Sequence, residues 1–210
     1  MSLVTLRRYT NLAAAIHTLT HRTITLLNPA SWDDKNDAYF ISQYIDRKPA
    51  KSLLALCFAE ALETYHHWKI FSHGSDGVCL EFDKGMLLQA LQRYEGLQAQ
   101  AVTYKRIDEV RNMHPCVDEL PFLKRYPYQD EKEFRLVYED RTHLIELKEF
   151  GVPLECIQKV KLSPWLDPNL SESVRATLRR IEGCENITIH QSQLINYEQW
   201  KRVARGDRSE

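Results

Sequence analysis

No run of this 210-residue chain approaches the roughly 20 apolar residues that a membrane-spanning helix needs. None of its five cysteines (Cys57, Cys79, Cys116, Cys156 and Cys184) forms a Cys-x-x-Cys pair, so zinc-knuckle and thioredoxin-type chemistry have no ligand set. Their odd number and wide spacing favour reduced, structural thiols, with Cys57 and Cys79 set inside apolar runs. The chain also lacks a G-x-S-x-G elbow, a G-x-x-x-x-G-K-[ST] loop and a G-x-G-x-x-G turn, which removes the simple hydrolase, P-loop and Rossmann assignments. The net charge of −1 gives no general attraction to nucleic acid or membrane. No secretory apolar core precedes the first charges, Arg7 and Arg8, and a cytoplasmic location is the expectation.

What is present is an ordinary globular composition, 43% hydrophobic and 27% charged. The most telling stretch is Glu-Lys-Glu-Phe-Arg-Leu at 131–136, running on into Val137 and Tyr138. Its polarity alternates, so a strand here turns Phe134, Leu136 and Tyr138 to one side and Glu131, Glu133 and Arg135 to the other. Two carboxylates then point the same way, roughly 6–7 Å apart by strand rise. Such a face is either solvent decoration paired across the sheet or the floor of a site.

Further strands are expected at 4–9, 23–27, 52–58, 78–82, 102–104, 157–162 and 187–190, with 144–147 as hairpin partner of the 131–139 strand. Helices are expected at 12–21, capped by Thr10-Asn11, at 60–72 with Ala61, Tyr65, Trp68 and Phe71 on one stripe, from Asp83 to about 94, at 171–181 and at 197–204. Residues 38–46 read equally as helix or extended chain. Segment 106–130, with Pro115, Pro121 and Pro127, reads as helical turns and loop. Short strands mixed with helices, without regular β-α-β alternation, indicate an α+β fold. The expected organisation is one domain over 1–205, with a frayed tail at 206–210.

Several constellations carry possible chemistry. Arg7, Arg8 and Tyr9 end the first strand before a helix, where an arginine can grip a phosphate. The loop Pro-Ala-Ser-Trp-Asp-Asp-Lys-Asn-Asp at 29–37 holds Trp32, Asp33, Asp34 and Asp37, and fits no calcium-loop template. His17 and His21 stand at i, i+4 without the glutamate of a metalloprotease helix, and His66, His67 and His73 flank Trp68 without an evident fourth ligand.

Together these segments resemble an uncharacterised prokaryotic family, the domain-of-unknown-function family numbered 2971, from about Leu6 to Leu194. Leu-Arg-Arg-Tyr at 6–9 is similar to its L-Y-R-Y opening, and the 29–37 loop to P-x-x-F-N-D-P-F-E/D, with Asp34 and Asp37 as clean matches. Leu56 to Glu60 looks like its C-F-S-E strand end, and Trp68 to Phe71 stands at its W-x-x-Y. Gly77 to Asp83 matches G-[FV]-C-[IL]-E-F-D, and 131–136 matches E-K-E-W-R-L. The family name supplies no activity.

A looser similarity is to the ADP-ribosyltransferase layout, with an arginine ending the first strand and an E-x-E strand late in the chain. The resemblance implies an ADP-ribosyltransferase-like fold of mixed and antiparallel sheets with flanking helices, and NAD as substrate. It would place Arg8 on the diphosphate, Glu133 on the ribose, Glu131 at the acceptor, and Tyr9 or Trp32 on nicotinamide, with Asp34 beside the cofactor. Asp37, Trp68 and Arg135 would belong to a substrate or structural cleft. Only Thr23 and Thr25 stand in for that layout's Ser/Thr strand. The function implied is nicotinamide–ribose cleavage with ADP-ribose transfer to a protein or nucleic-acid acceptor. A bacterial toxin or antiviral defence effector would fit, partnered by an antitoxin or neighbouring defence protein, with no membrane and no metal. A non-catalytic ligand- or protein-binding module is one alternative. Metal-dependent nuclease chemistry on Asp34, Asp37, Glu81, Glu131 and Glu133 is another.

Overall fold

A computed structural model describes residues 4–72 and 74–206. In chain order the strands and helices are β1 Thr5–Asn11, α1 Leu12–His21, β2 Thr23–Leu27, α2 Lys35–Arg47, β3 Ser52–Ala59, α3 Tyr65–Phe71, β4 Gly77–Asp83 and α4 Lys84–Leu91. There follow β5 Leu97–Ala101, β6 Thr103–Lys105, α5 Ile107–Met113, β7 Leu123–Arg125, β8 Glu133–Asp140, β9 Leu147–Gly151, β10 Ile157–Leu162, α6 Pro168–Leu178, β11 Thr188–Gln191 and α7 Glu198–Arg205. The fold is α+β, as the mixed elements implied.

Short polar side chains set many of the boundaries. Asn11 accepts from the Ala14 amide and starts α1, Asp34 accepts from the Asn36 and Asp37 amides and starts α2, and Asp83 accepts from the Met86 amide and starts α4. The ambiguous 38–46 stretch is therefore helix. The helix expected from residue 60 begins only at Tyr65, because the Thr64 hydroxyl caps it. β5 and β7 were not expected: β5, Leu-Gln-Ala-Gln-Ala, alternates mostly over small apolar side chains, and β7 is three residues long.

Nine strands form one sheet in the order β11-β10-β4-β1-β3-β2-β9, with β8 against β3 and β5 against β8. All pairs are antiparallel except β10–β11. The β1–β4 and β3–β8 ladders are long, but β1 meets β3 at a single pair, Arg7 opposite Ala59. β2 likewise meets β3 at one pair, Leu27 opposite Ala55, so the sheet divides into three well-bonded groups, with β1 and β3 at one seam and β2 and β3 at the other. A separate parallel pair joins β6 and β7.

One expectation is corrected here. Residues 144–147 do not form a hairpin partner of β8; β9 pairs with β2, Thr23 opposite Gly151 and Leu27 opposite Leu147. The edge of β8 is taken by β5 instead.

β3 and β8 are covered on both faces. Leu54, Leu56, Phe58, Phe134, Leu136 and Tyr138 enter the main core, while Leu53, Ala55 and Val137 pack on the other side against Ile41 and Tyr44 of α2 and Leu120 and Phe122. Residues 117–122 form a 3-10 turn that joins this second layer. The polar face of β8 therefore lies beneath α2 and that turn. It is not a solvent face. Residues 207–210, most of the expected tail, and His73 lie outside the described residues.

Candidate functional site

The buried polar face of β8 is organised by Arg135, which is 0% exposed. Its Nε donates to Glu133 Oε1 at 2.7 Å, its Nη1 to Asp37 Oδ1 at 3.0 Å and to the Pro121 carbonyl at 2.7 Å, and its Nη2 to Asp37 Oδ2 at 2.7 Å. The Trp32 ring lies over the guanidinium, 4.9 Å from its centroid. These partners come from three parts of the chain: β8 itself, the 29–37 segment and the turn at Pro121. A bidentate arginine suits this junction because its planar fork fixes direction as well as charge.

Lys124 supplies the second cation. Its ammonium lies 2.6 Å from Glu131 Oε2, 3.1 Å from Glu133 Oε2 and 3.7 Å from Asp37 Oδ2. Glu131 does not continue the strand: it ends a 3-10 turn at 126–131, and Lys132 takes a left-handed conformation (φ 41°) before β8 begins. The two glutamates still converge, but on Lys124. Three carboxylates against two cations leave the cluster one negative charge in excess.

Burial and charge divide the acids. Burial pushes the Glu133 carboxyl up, but the Arg135 guanidinium and then the Lys124 ammonium outweigh it and bring it down to about 2. For Glu131 and Asp37, burial prevails over Lys124 and Arg135 respectively, and both sit above the usual carboxylate range. Burial opposes the charge on Lys124, yet Glu133 and Glu131 hold its pKa well above the usual lysine value.

Arg8 lies at the β1–β3 seam. Past the single β1–β3 pair, its Nη1 donates to the Cys57 carbonyl at 3.2 Å, supplying a donor where the ladder has stopped. Burial lowers the Arg8 pKa, and Glu133 is close enough to oppose that shift. The N-terminal guanidinium is thus committed to the β3 backbone at Cys57, and it is in the lining of neither cavity beside the cluster. Burial, then Glu133, raises the Cys57 thiol well above its ordinary value, which leaves it protonated and unreactive.

Glu133 borders a cavity of about 390 Å³, together with Glu60, Val102, Tyr104, Tyr126 and Gln129. The Tyr104 hydroxyl accepts from the Glu133 amide at 2.8 Å, fixing the start of β8 at the cavity wall. A second cavity of about 650 Å³ lies alongside, with Lys124, Asp34, Asp37 and Tyr126 in its lining.

The site residues read from sequence are thus distributed unevenly. Glu131, Glu133, Asp37, Arg135 and Trp32 come together, and Arg8 adjoins them. Asp34 is the cap of α2, with one oxygen on two amides. Tyr9 and Trp68 belong to a different cluster: both are buried, their rings meet edge to face at 5.2 Å, and His67 stacks on Tyr9. Neither stands open to a ligand. Trp68 Nε1 donates to Glu63 at 2.7 Å. Glu81 is held apart in its own network with Arg7 at 3.1 Å and Lys161 at 3.0 Å, so the five acids of the nuclease reading do not assemble. Among the described residues no group of three His, Cys, Asp or Glu side chains is arranged to hold a metal.

Lys124, Tyr104, Tyr126 and Gln129 were not anticipated. Tyr104 lies in the strand expected at 102–104; the other three fall in a segment without periodicity.

No protein-family model matches this chain, so the likeness to the family numbered 2971 has no counterpart there. No curated protein matches either. Among solved structures, Thermus sp. 2.9 DarT in complex with NAD+ is similar at 12% identity and a TM-score of 0.49, covering 92% of this chain and 97% of that one. The same protein in complex with ADP-ribosylated ssDNA gives 11% identity and a TM-score of 0.47, over 92% and 96% of the two chains. Likeness of this degree assigns neither substrate nor site residues.

Proposed function

We propose that this chain is an NAD-dependent ADP-ribosyltransferase-like enzyme that cleaves the nicotinamide–ribose bond and passes ADP-ribose to an acceptor. The observation that carries the reading is Glu133: a carboxylate kept ionised by fixed partners, at a cavity wall. When the C1′–N bond breaks, nicotinamide leaves with the bonding pair and the ribosyl carbon becomes oxocarbenium-like. A prepositioned anion in a partly dry cleft stabilises that charge more than it stabilises the bound substrate. In this reading Glu133 accepts from the ribose 2′-hydroxyl, Arg8 faces the diphosphate and Glu131 orients the acceptor, whose nucleophile loses its proton as it bonds to C1′. The acceptor is a protein or nucleic acid. A toxin or antiviral defence role, with an antitoxin or neighbouring defence protein as partner, belongs to the same reading.

One observation favours a second reading. Both oxygens of Glu133 already have cationic donors, which is what a purely structural ion cluster beneath a binding module would show.

The test is nicotinamide release from NAD by the purified chain, followed chromatographically, together with NAD-dependent thermal stabilisation. The enzyme reading expects both. It also expects Glu133→Gln to abolish release while NAD still raises the melting temperature, and Arg8→Ala to raise the NAD concentration required. Absence of both release and stabilisation rejects the reading in favour of the binding module.

A further inference from the structure

The 650 Å³ groove beside the ion cluster has a lining that the NAD reading does not use. Phe40, Ile107, Val110, Leu123, Tyr126 and Pro127 give it an apolar and aromatic body. Four basic side chains, Lys105, Arg106, Lys124 and Arg125, stand against two carboxylates, Asp34 and Asp37.

Those charges are not equally available. Asp37 is consumed by Arg135, Lys124 by the carboxylates beneath it, and Lys105 has Glu109 at 3.6 Å. Arg106 and Arg125 are exposed, and among the described residues neither guanidinium is in an ion pair; the Arg106 backbone amide donates to Glu109 at 2.7 Å, while its guanidinium lies over the Tyr126 ring at 4.7 Å. The groove therefore presents two free guanidinium groups at an aromatic slot. In its wall, Asp34 Oδ2 is buried without a hydrogen-bond partner, while Oδ1 caps α2. A buried acceptor left unpaired is costly, and a ligand N–H or O–H donor would recover that cost.

We propose that this groove binds a nucleoside phosphate unit: its phosphate on Arg106 and Arg125, its planar base in the slot of Phe40, Ile107 and Tyr126, and a base N–H or sugar hydroxyl donating to Asp34 Oδ2. The volume lies within the range of about 300–1,000 Å³ that holds small ligands. Guanidinium groups pair with phosphate oxygens in bidentate fashion, and bases stack on aromatic rings whatever their sequence. An acidic peptide would meet the arginines equally well, but it would bring more carboxylate toward Asp34. The unit has two sources, a free nucleotide or one residue of a single strand. The site is separate from the Glu133 cavity, with Tyr126 common to both, and needs no nicotinamide.

Calorimetric titration of the full chain tests this with ligands that lack nicotinamide, so failure here is distinct from failure to cleave NAD. The probes are adenosine and thymidine monophosphates, a ten-residue single-stranded oligonucleotide, inorganic phosphate and an acidic peptide. Binding of the mononucleotides, or of the oligonucleotide alone, supports the proposal and tells the two sources apart. The double variant Arg106→Ala/Arg125→Ala, altered only at exposed side chains, should weaken binding about tenfold or more. Asp34→Asn keeps the helix cap but replaces the orphaned acceptor with a donor on one side, and should weaken nucleotide binding without altering the melting temperature. The proposal falls if no nucleotide binds, if inorganic phosphate or the acidic peptide binds as tightly, or if the double arginine variant binds unchanged.

Discussion

Replacing Arg135 by methionine isolates the energetic centre of the molecule. The side chain is wholly buried and makes four hydrogen bonds, two of them to Asp37 and one to Glu133. Methionine fills much of the volume, so little of the effect comes from a cavity. What changes is charge: Asp37 is left with Lys124 at 3.7 Å, and Glu133 keeps only Lys124 at 3.1 Å. Breaking a buried ion pair from one side costs about 3–5 kcal/mol, because the stranded carboxylate must stay desolvated or take up a proton. Against a typical stability of about 5–15 kcal/mol this is a large fraction. For a chain of this size it corresponds to a melting temperature lower by roughly 6–20 °C. Urea unfolding followed by circular dichroism measures it. The double variant Arg135→Met/Asp37→Leu removes both sides of one pair and should lose less than the sum of its single variants. A loss below about 1 kcal/mol for Arg135→Met, or strict additivity in the double variant, would refute the view that this guanidinium neutralises the buried acids.

Three further outcomes follow from the same geometry. Glu133 has its folded pKa depressed to about 2 from an ordinary 4.5, so its contribution is present above about pH 4.5 and is lost as pH falls through 2. It amounts to about 3 kcal/mol, and the stability difference between wild type and Glu133→Gln in urea titrations should shrink from pH 5 downward; a pH-independent difference contradicts the assignment. Tyr104→Phe leaves the Glu133 amide without its acceptor and should cost about 1–2 kcal/mol, read by thermal unfolding, while amide exchange at the start of β8 speeds up. Arg22 closes α1 in a left-handed conformation (φ 54°), so Arg22→Gly should stabilise by about 0.5–1 kcal/mol; a lower melting temperature would mean that the side chain matters more than the backbone.

Local rules were legible where the physics is local. Asn11 and Asp83 announce helices because a short acceptor can satisfy free amides only at that place, and the span of β2 is as its β-branched run indicates. The apolar side of β8 was also readable, since alternation has one interpretation once a core exists. Pairing across distance was not. The 144–147 hairpin was inferred from proximity alone, yet β9 crosses to β2, more than 100 positions upstream, because β5 already holds the free edge of β8. Lys124 escaped notice for a related reason. It sits on a three-residue strand between 3-10 turns, where neither period 2 nor period 3.6 can show, and only the β6–β7 pairing brings it under the E-x-E residues.

The polar side of β8 has a clue that lies in a different strand. Leu53, Leu54, Ala55 and Leu56 form a continuous apolar run, and such a run signals a strand buried on both faces rather than one. A strand laid along it for its full length inherits the same surroundings, so Glu133 and Arg135, opposite Ala59 and Cys57, had to be covered as well. Charge that must be covered has to be paired, and the partner α2 supplies is Asp37, in its first turn. The acidic loop and the E-x-E strand are therefore one feature, joined by Arg135. Any ligand that uses Glu133 must bind without dismantling that joint, which restricts it to the oxygen lone pairs that Arg135 and Lys124 leave free.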